Sequence, residues 1–280
     1  PRHALKGAQI VQNLLYQDFP SELVPLPLAY RQQIVSLVRY HGLPLWFWDK
    51  DDMLYSVMRA SQHVPPQYIA LLAEADVIGR ICNDQQDLLD RITLFREFCI
   101  ENSCYDSAYQ FPSDYSRFLY FQNSSNHPTY QAYDDTICTV TLMSGLPASG
   151  KDTWLVENKA NTPIISLDKI REQLNVKPTD NQSQVVITAK EQARQYLRQQ
   201  QDFVWNATNL TRRMRSQLID LFTDYKARVE VIYLEVPFKT IIERNQDRKD
   251  SVPIDVLRKM AQILDVPSIT EAHSVQWITH

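Results

Sequence analysis

The stretch Gly145-Leu-Pro-Ala-Ser149-Gly150-Lys151-Asp152-Thr153 holds the residue types that grip a polyphosphate, at the spacing such a grip needs. Backbone N–H groups turn toward phosphate oxygens only around tight bends free of side chains, and glycine stands at both ends of this loop. Two of the chain's five glycines are spent here. Lys151 supplies a mobile positive charge for the β- and γ-phosphates, and a helix starting at Lys151 would add its N-terminal dipole. Gly145, Ser149, Gly150, Lys151, Asp152 and Thr153 are therefore the candidate nucleotide-binding residues. Asp152 departs from the usual pattern, which places Ser or Thr after the lysine.

Downstream, Ser166-Leu-Asp168-Lys-Ile-Arg171 puts a carboxylate and a guanidinium three residues apart, on one face of a helix. A carboxylate at a strand end can take the proton from an attacking hydroxyl. An arginine beside it can hold an anionic acceptor in line. Arg244 and Arg248 lie four apart in Ile241-Ile-Glu-Arg-Asn-Gln-Asp-Arg248. They read as a helical lid that closes on a transferring phosphoryl group. Asn206 ends a candidate strand, Asn209 is placed to cap the next helix, and the arginines of the 212–215 cluster suit an anionic polymer.

These residues need strand ends to carry them. From Ile137 onward, candidate strands (Cys138–Met143, Pro163–Ser166, Phe203–Asn206, Val229–Val236) alternate with helical segments (Lys151–Lys159, Leu167–Leu174, Ser183–Gln201, Thr211–Tyr225). That rhythm predicts a parallel α/β sheet covered on both faces, with ligands at the carboxyl ends of its strands. Residues 1–104 instead read as all helical. Helices are expected over Leu28–Tyr40, from Asp51/Asp52 into Arg59, over Tyr68–Arg80 and over Leu88–Cys99, the last with Leu88, Ile92, Phe95 and Cys99 on one packed stripe. Residues 105–136 form an aromatic and polar linker with a short helix near Ser113–Phe121, and residues 137–280 form the second domain.

Composition adds bounds. With 44% apolar and 22% charged residues over 280 positions, the chain suits a globular protein of two cores. No apolar run approaches a membrane span and no signal-peptide pattern is present, so the expectation is a cytoplasmic protein without a membrane partner. Cys82, Cys99, Cys104 and Cys138 form no CxxC pair and read as reduced structural thiols. Residues 1–130 carry 10 Lys and Arg against 14 Asp and Glu, while residues 131–280 carry 19 of each. The net charge of −4 thus belongs to the first half. A neutral second half argues for specific phosphate contacts and against a broad nucleic-acid-binding surface.

Residues 137–275 resemble the kinase domain of the polynucleotide 5′-kinase family, on GLPASGKDT, SLDKIR, WNATN and ERNQDR in that order, followed by the VP…RKM…EAHSV tail. The resemblance implies NTP-dependent phosphorylation of 5′-OH ends of RNA or DNA, with ATP or another NTP and Mg2+. Lys151 would bind the β/γ-phosphates, Asp168 would be the general base, Arg171 would contact the phosphate next to the acceptor hydroxyl, and Arg244 and Arg248 would be the lid arginines. Two positions depart from the phage form: Asp152 replaces a magnesium-ligating Ser, and Asn206 replaces an Asp. A carboxylate at 152 can still hold the metal, directly or through water, so a gain there offsets the loss at 206.

His3, His41 and Asp76, in this order on a helical scaffold, resemble the later part of an HD-type metal phosphohydrolase domain. The pairing with a kinase is similar to bacterial end-healing enzymes of RNA repair, which also remove 2′,3′-cyclic, 2′- or 3′-phosphates using a divalent transition metal. The family's early His and its His-Asp pair have no counterpart after Pro1, so the expectation is a fragment with an incomplete HD-like site. The overall expectation is α plus α/β: an incomplete HD-like helical domain followed by a P-loop kinase domain. Two other readings stay open, a kinase for a small-molecule acceptor and a nucleotide-binding regulator that transfers nothing.

Overall fold

The computed structural model describes residues 2–17, 26–81, 83–122, 126–248 and 250–279. Cys82, named above, lies outside them. The chain divides into two compact units, Pro1–Gln131 and Ala132–His280.

The first unit is helical: α1 (Arg2–Tyr16), α2 (Leu28–Tyr40), α3 (Leu43–Trp46) continued by a 3-10 turn at Phe47–Asp49, α4 (Met53–Ser61), α5 (Pro66–Ile78), α6 (Gln85–Glu101) and α7 (Asp114–Gln122). Asp52 caps α4, its carboxylate accepting the Tyr55 N–H at 2.7 Å. Pro66 opens α5, where a missing N–H costs nothing. The stripe Leu88, Ile92, Phe95 and Cys99 is buried as its spacing predicts, against a core of Phe47, Val57, Met58, Ile69 and Ala73. The Phe47 ring meets that of Phe95 edge-on at 5.2 Å. Among the described residues, no helix is long and apolar enough to cross a membrane, and Cys99, Cys104 and Cys138 are free and buried.

The second unit is an α/β domain built from β1 (Cys138–Ser144), α8 (Lys151–Asn158), β2 (Ile164–Ser166), α9 (Leu167–Leu174), α10 (Ser183–Arg198), β3 (Phe203–Asn206), α11 (Arg212–Thr223), β4 (Ala227–Glu235), α12 (Phe238–Gln246), α13 (Ile254–Gln262) and β5 (Ser274–Thr279). Its five strands lie in the order β2-β3-β1-β4-β5 and every pairing is parallel. β1 is central and almost wholly buried, as a strand covered on both faces must be. Met143, Leu155, Val204, Ile232 and Leu234 pack beneath the phosphate-type loop. The register sets Ser144 beside Tyr233 and Ser166 beside Asn206, so the loop, Asp168 and Asn206 all fall at the carboxyl edge.

Two elements differ from the sequence reading. β5 was not expected: it is a half-exposed edge strand in which Trp277 faces solvent on one side, so it lacks the continuous apolar run of β1 and β4. α13 was not expected either: Ile254 and Val256 are exposed and its buried residues are Leu257 and Ala261.

Candidate active site at the carboxyl edge of the sheet

The loop after β1 is held by backbone geometry. Gly145 (φ 141°) and Gly150 (φ 100°) occupy the region that side chains disfavour, and Gly150 is the residue from which α8 starts. At Gly145 there is also no room, since a Cβ would lie 2.5 Å from the carbonyl oxygen of Leu234 and 2.9 Å from Ser149 Oγ. At Gly150 a Cβ would meet nothing nearer than Arg244 Nη1 at 3.8 Å. Gly145→Ala is therefore expected to cost about 2 kcal/mol and to weaken nucleotide binding sharply, with Gly150→Ala milder in stability because it carries only the dihedral cost. Urea unfolding midpoints of the two variants, set beside nucleotide titrations, check the ranking.

Lys151 folds back over this loop. Its Nζ donates to the carbonyls of Leu146 at 2.7 Å and Gly145 at 2.9 Å, and reaches Ser149 Oγ at 3.4 Å. Burial pushes its ammonium down to about 8; Arg248 pushes the same way, while Asp152 and Asp168 oppose. One ammonium therefore feels three of the predicted site residues. A bound triphosphate favours the charged form and raises this pKa. Nucleotide affinity is then greatest below about pH 8 and falls as pH rises above it, and binding near pH 8.5 takes up a proton. Calorimetry in two buffers of different ionisation enthalpy should show that uptake, and Lys151→Ala should remove it.

At the ends of β2 and β3, the residues expected on the acceptor side are paired: Asp168 with Arg171, and Asn206 with Asp152. Ser166 caps α9 by accepting the Lys169 N–H. That places Asp168 in the first turn, where its carboxylate is ion-paired with Arg171 Nη1. Side-chain exposure is 77% for Asp168 and 25% for Arg171, so the carboxylate stays open to a ligand while the arginine is braced. Asn206 Nδ2 donates to Asp152 Oδ1 at 2.7 Å. The two positions singled out together in the sequence thus touch, and the amide orients the Asp152 carboxylate. Thr153 follows Asp152 within the first turn of α8.

Arg244 and Arg248 differ from expectation in their support. Arg244 is on α12, but the helix ends at Gln246 and Arg248 lies in the turn beyond Asp247. The cause is Asn245, a buried residue the sequence reading passed over. Its side chain holds both Val252 N–H (2.9 Å) and Val252 C=O (2.8 Å), drawing the following segment back under the helix end. Arg244 still faces Gly150, and Arg248 still acts on Lys151.

Two further residues change role. Asn209 does not cap α11; Thr211 does, accepting the Met214 N–H at 3.2 Å. Asn209 has a left-handed backbone (φ 43°) and ties the loop after β3 to the end of β1. Its Nδ2 donates to Met143 O at 2.7 Å and its carbonyl accepts Ser144 Oγ at 3.1 Å, while Gly145 N donates to Thr208 O at 2.9 Å. Arg215 is not part of a surface cluster. It is fully buried and paired in two bonds with Glu271, at 2.8 and 3.0 Å.

In the helical unit, the His3 and His41 rings lie 5.4 Å apart, and His41 Nδ1 is 2.8 Å from Val38 O. Asp76 is engaged with Arg80 one turn along α5. Among the described residues, no three His, Cys, Asp or Glu side chains form a group that could hold a metal ion, so His3, His41 and Asp76 do not make a shared site. The histidine pair alone offers too few ligands for a resident transition metal.

Comparison with known proteins places this chain beside several kinases. The chain is 23% identical over 145 residues to the L-seryl-tRNA(Sec) kinase of Methanococcus maripaludis, a match covering 49% of this chain and 57% of that protein. The chain therefore spans a little over half the length of this curated relative. Among solved structures, it is similar to a sugar kinase from Janibacter sp. HTCC2649 (17% identity, TM-score 0.40, covering 51% of this chain and 85% of that one). It is also similar to a gluconokinase from Sinorhizobium meliloti 1021 (15% identity, TM-score 0.37, covering 51% and 83%). Residues 140–267 match the family model described as an AAA domain. The second unit is a P-loop kinase-like α/β domain with a parallel sheet, preceded in the chain by an all-helical region.

Proposed function

We propose that the second unit is an NTP-dependent kinase that phosphorylates a hydroxyl lying beside an anionic group, and that this acceptor is the 5′-OH end of RNA or DNA. The observation that carries the reading is the convergence on Lys151, whose ammonium is held over the loop carbonyls and feels Asp152, Asp168 and Arg248 together. A desolvated ammonium with carboxylates and a second cation around it is the kind of perturbed group that gathers at functional sites.

In the proposed reaction, the triphosphate lies against the N–H groups at the start of α8. Lys151 exchanges its two carbonyl partners for phosphate oxygens. The acceptor hydroxyl attacks the γ-phosphorus as its proton passes to the Asp168 carboxylate, and the bond to the bridging oxygen breaks to release the diphosphate. Arg171 holds the acceptor's anionic group, while Arg244 and Arg248 face the phosphoryl group in flight. Mg2+ fits the residues present: Asp152 keeps one oxygen clear of its bond to Asn206, and Thr153 adjoins it. When bound there, the ion neutralises charge on the β- and γ-phosphates.

A second reading, a kinase for a small-molecule acceptor, is favoured by one observation. Arg215 is buried and unavailable to a polymer, which removes part of the basic cluster that argued for nucleic acid. The similar L-seryl-tRNA(Sec) kinase is by its name not a 5′-end kinase, which favours another acceptor as well. Labelled γ-phosphate offered with a 5′-OH oligonucleotide, a nucleoside and gluconate separates the two. Transfer to the oligonucleotide above the others supports the main reading; transfer only to a small acceptor replaces it; tight NTP binding with no transfer points to a regulator.

For the whole protein, the HD resemblance carries the proposal of a metal-dependent 2′,3′-cyclic, 2′- or 3′-phosphate phosphohydrolase. No hydrolytic step is assigned to this chain, since its described residues do not fit the metal. Two tight Mn2+ sites in Pro1–Gln131, seen by titration of the purified chain, would overturn that assignment.

A further inference from the structure

The connection between α9 and α10 holds a side chain that neither the motifs nor the mechanism uses. Gln182 Oε1 accepts the Nε–H of Arg171 at 2.9 Å. Its Nε2 donates to the carbonyls of Lys177 at 2.9 Å and Asp180 at 2.8 Å. With two carbonyl oxygens on one side and a guanidinium donor on the other, the amide has one orientation that satisfies all three partners. Gln182 immediately precedes α10 yet caps nothing; the Ser183 N–H goes to Asn181 Oδ1 at 2.9 Å instead.

The surrounding loop is shaped to deliver this amide. Asn175 ends α9 in the left-handed region (φ 52°), and Val176 N donates back to the carbonyl of Arg171 at 3.0 Å. Lys177 N then bonds Asp180 Oδ2 at 2.9 Å, closing a turn that returns the chain to the arginine. Arg171 is thus gripped at Nε by Gln182 and at Nη1 by Asp168, which fixes the plane of its guanidinium. A free arginine side chain samples many rotamers, and bracing it beforehand lowers the ordering cost of binding a ligand.

We propose that Gln182 is a positioning residue that presets Arg171, and that through Arg171 it sets the preference for acceptors with an anionic group beside the hydroxyl. This rests on the reading that Arg171 receives the acceptor. The probe is adenosine 3′-phosphate, which carries both a 5′-OH and an anionic group, with binding to the full chain measured by calorimetry.

Gln182→Ala and the near-isosteric Gln182→Met are each expected to weaken that binding about tenfold, with NTP affinity unchanged. In an Arg171→Ala background, adding Gln182→Ala should change it less than twofold, because the amide acts only through the arginine. An equal loss in both backgrounds, a parallel loss of NTP affinity, no loss, or no binding by the unaltered chain would each overturn the proposal. Phosphoryl transfer to a 5′-OH oligonucleotide is scored separately. Coupled binding without transfer removes the kinase reading and leaves Gln182 in place; transfer without coupling does the reverse.

Discussion

Asp168→Asn is expected to lower phosphoryl transfer about a thousandfold, within the 10²–10⁴ range for loss of a positioned general base, with nucleotide affinity changed by less than threefold. The amide fills the same space at the start of α9 but cannot take up the acceptor proton, and it weakens the charged contact with Arg171. Lys151→Ala should fail differently. It removes the ammonium over the loop, so both nucleotide affinity and turnover fall. Asp168 is exposed, and Lys151 Nζ bonds to two loop carbonyls and one hydroxyl, outside the apolar core, so both variants should melt within a few degrees of the parent. Single-turnover transfer together with equilibrium nucleotide binding separates the two signatures. Full transfer by Asp168→Asn would remove the base assignment even if Lys151 proved essential.

The parts of the candidate site that are legible in the sequence share a property: their placement depends on local spacing. The loop needs its two glycines and lysine in fixed order, and α9 needs Ser166 to start it; the structure ends that helix at Leu174, as its pattern predicts. What stayed hidden depends on partners distant in the chain. Asn209 looks like a cap because it stands two residues before Thr211; only its bond to Met143 O, 66 positions away, reveals a strap. Gln182 sits in a polar run in which nothing distinguishes it from Asn181 or Gln184. β5 was illegible for an energetic reason, since an edge strand buries too little to force an apolar alternation. Arg215 was different, because the signal was present and misread. It shares a helical face with Leu218, Ile219 and Phe222, all buried, so the 3.6-residue period sends it inward while Arg213 stays exposed.

That inward turn makes Arg215→Ala the most damaging single change expected for stability. Arg215 and Glu271 are 0% and 5% exposed, and their two parallel bonds, at 2.8 and 3.0 Å, are the geometry in which a buried pair holds best. Removing one partner strands the other charge away from water, at a cost of about 3–5 kcal/mol. For a unit of this size that lowers its melting transition on the order of 10 °C. Glu271 also accepts the Ser268 N–H at 3.1 Å, so the loss reaches the segment leading to β5. Arg215→Met with Glu271→Leu should recover much of the stability, because no unpaired charge remains. It should not restore the loop. Arg215 Nη1 also donates to the carbonyls of Asn209 (3.0 Å) and Leu210 (3.2 Å), the strap that braces Ser144 and Gly145. The double variant is therefore expected to fold well and still bind nucleotide several-fold more weakly. Thermal melts and nucleotide titrations on the single and double variants test this split. Equal recovery of both properties would mean that the pair acts on stability alone and that the strap does not need its donor.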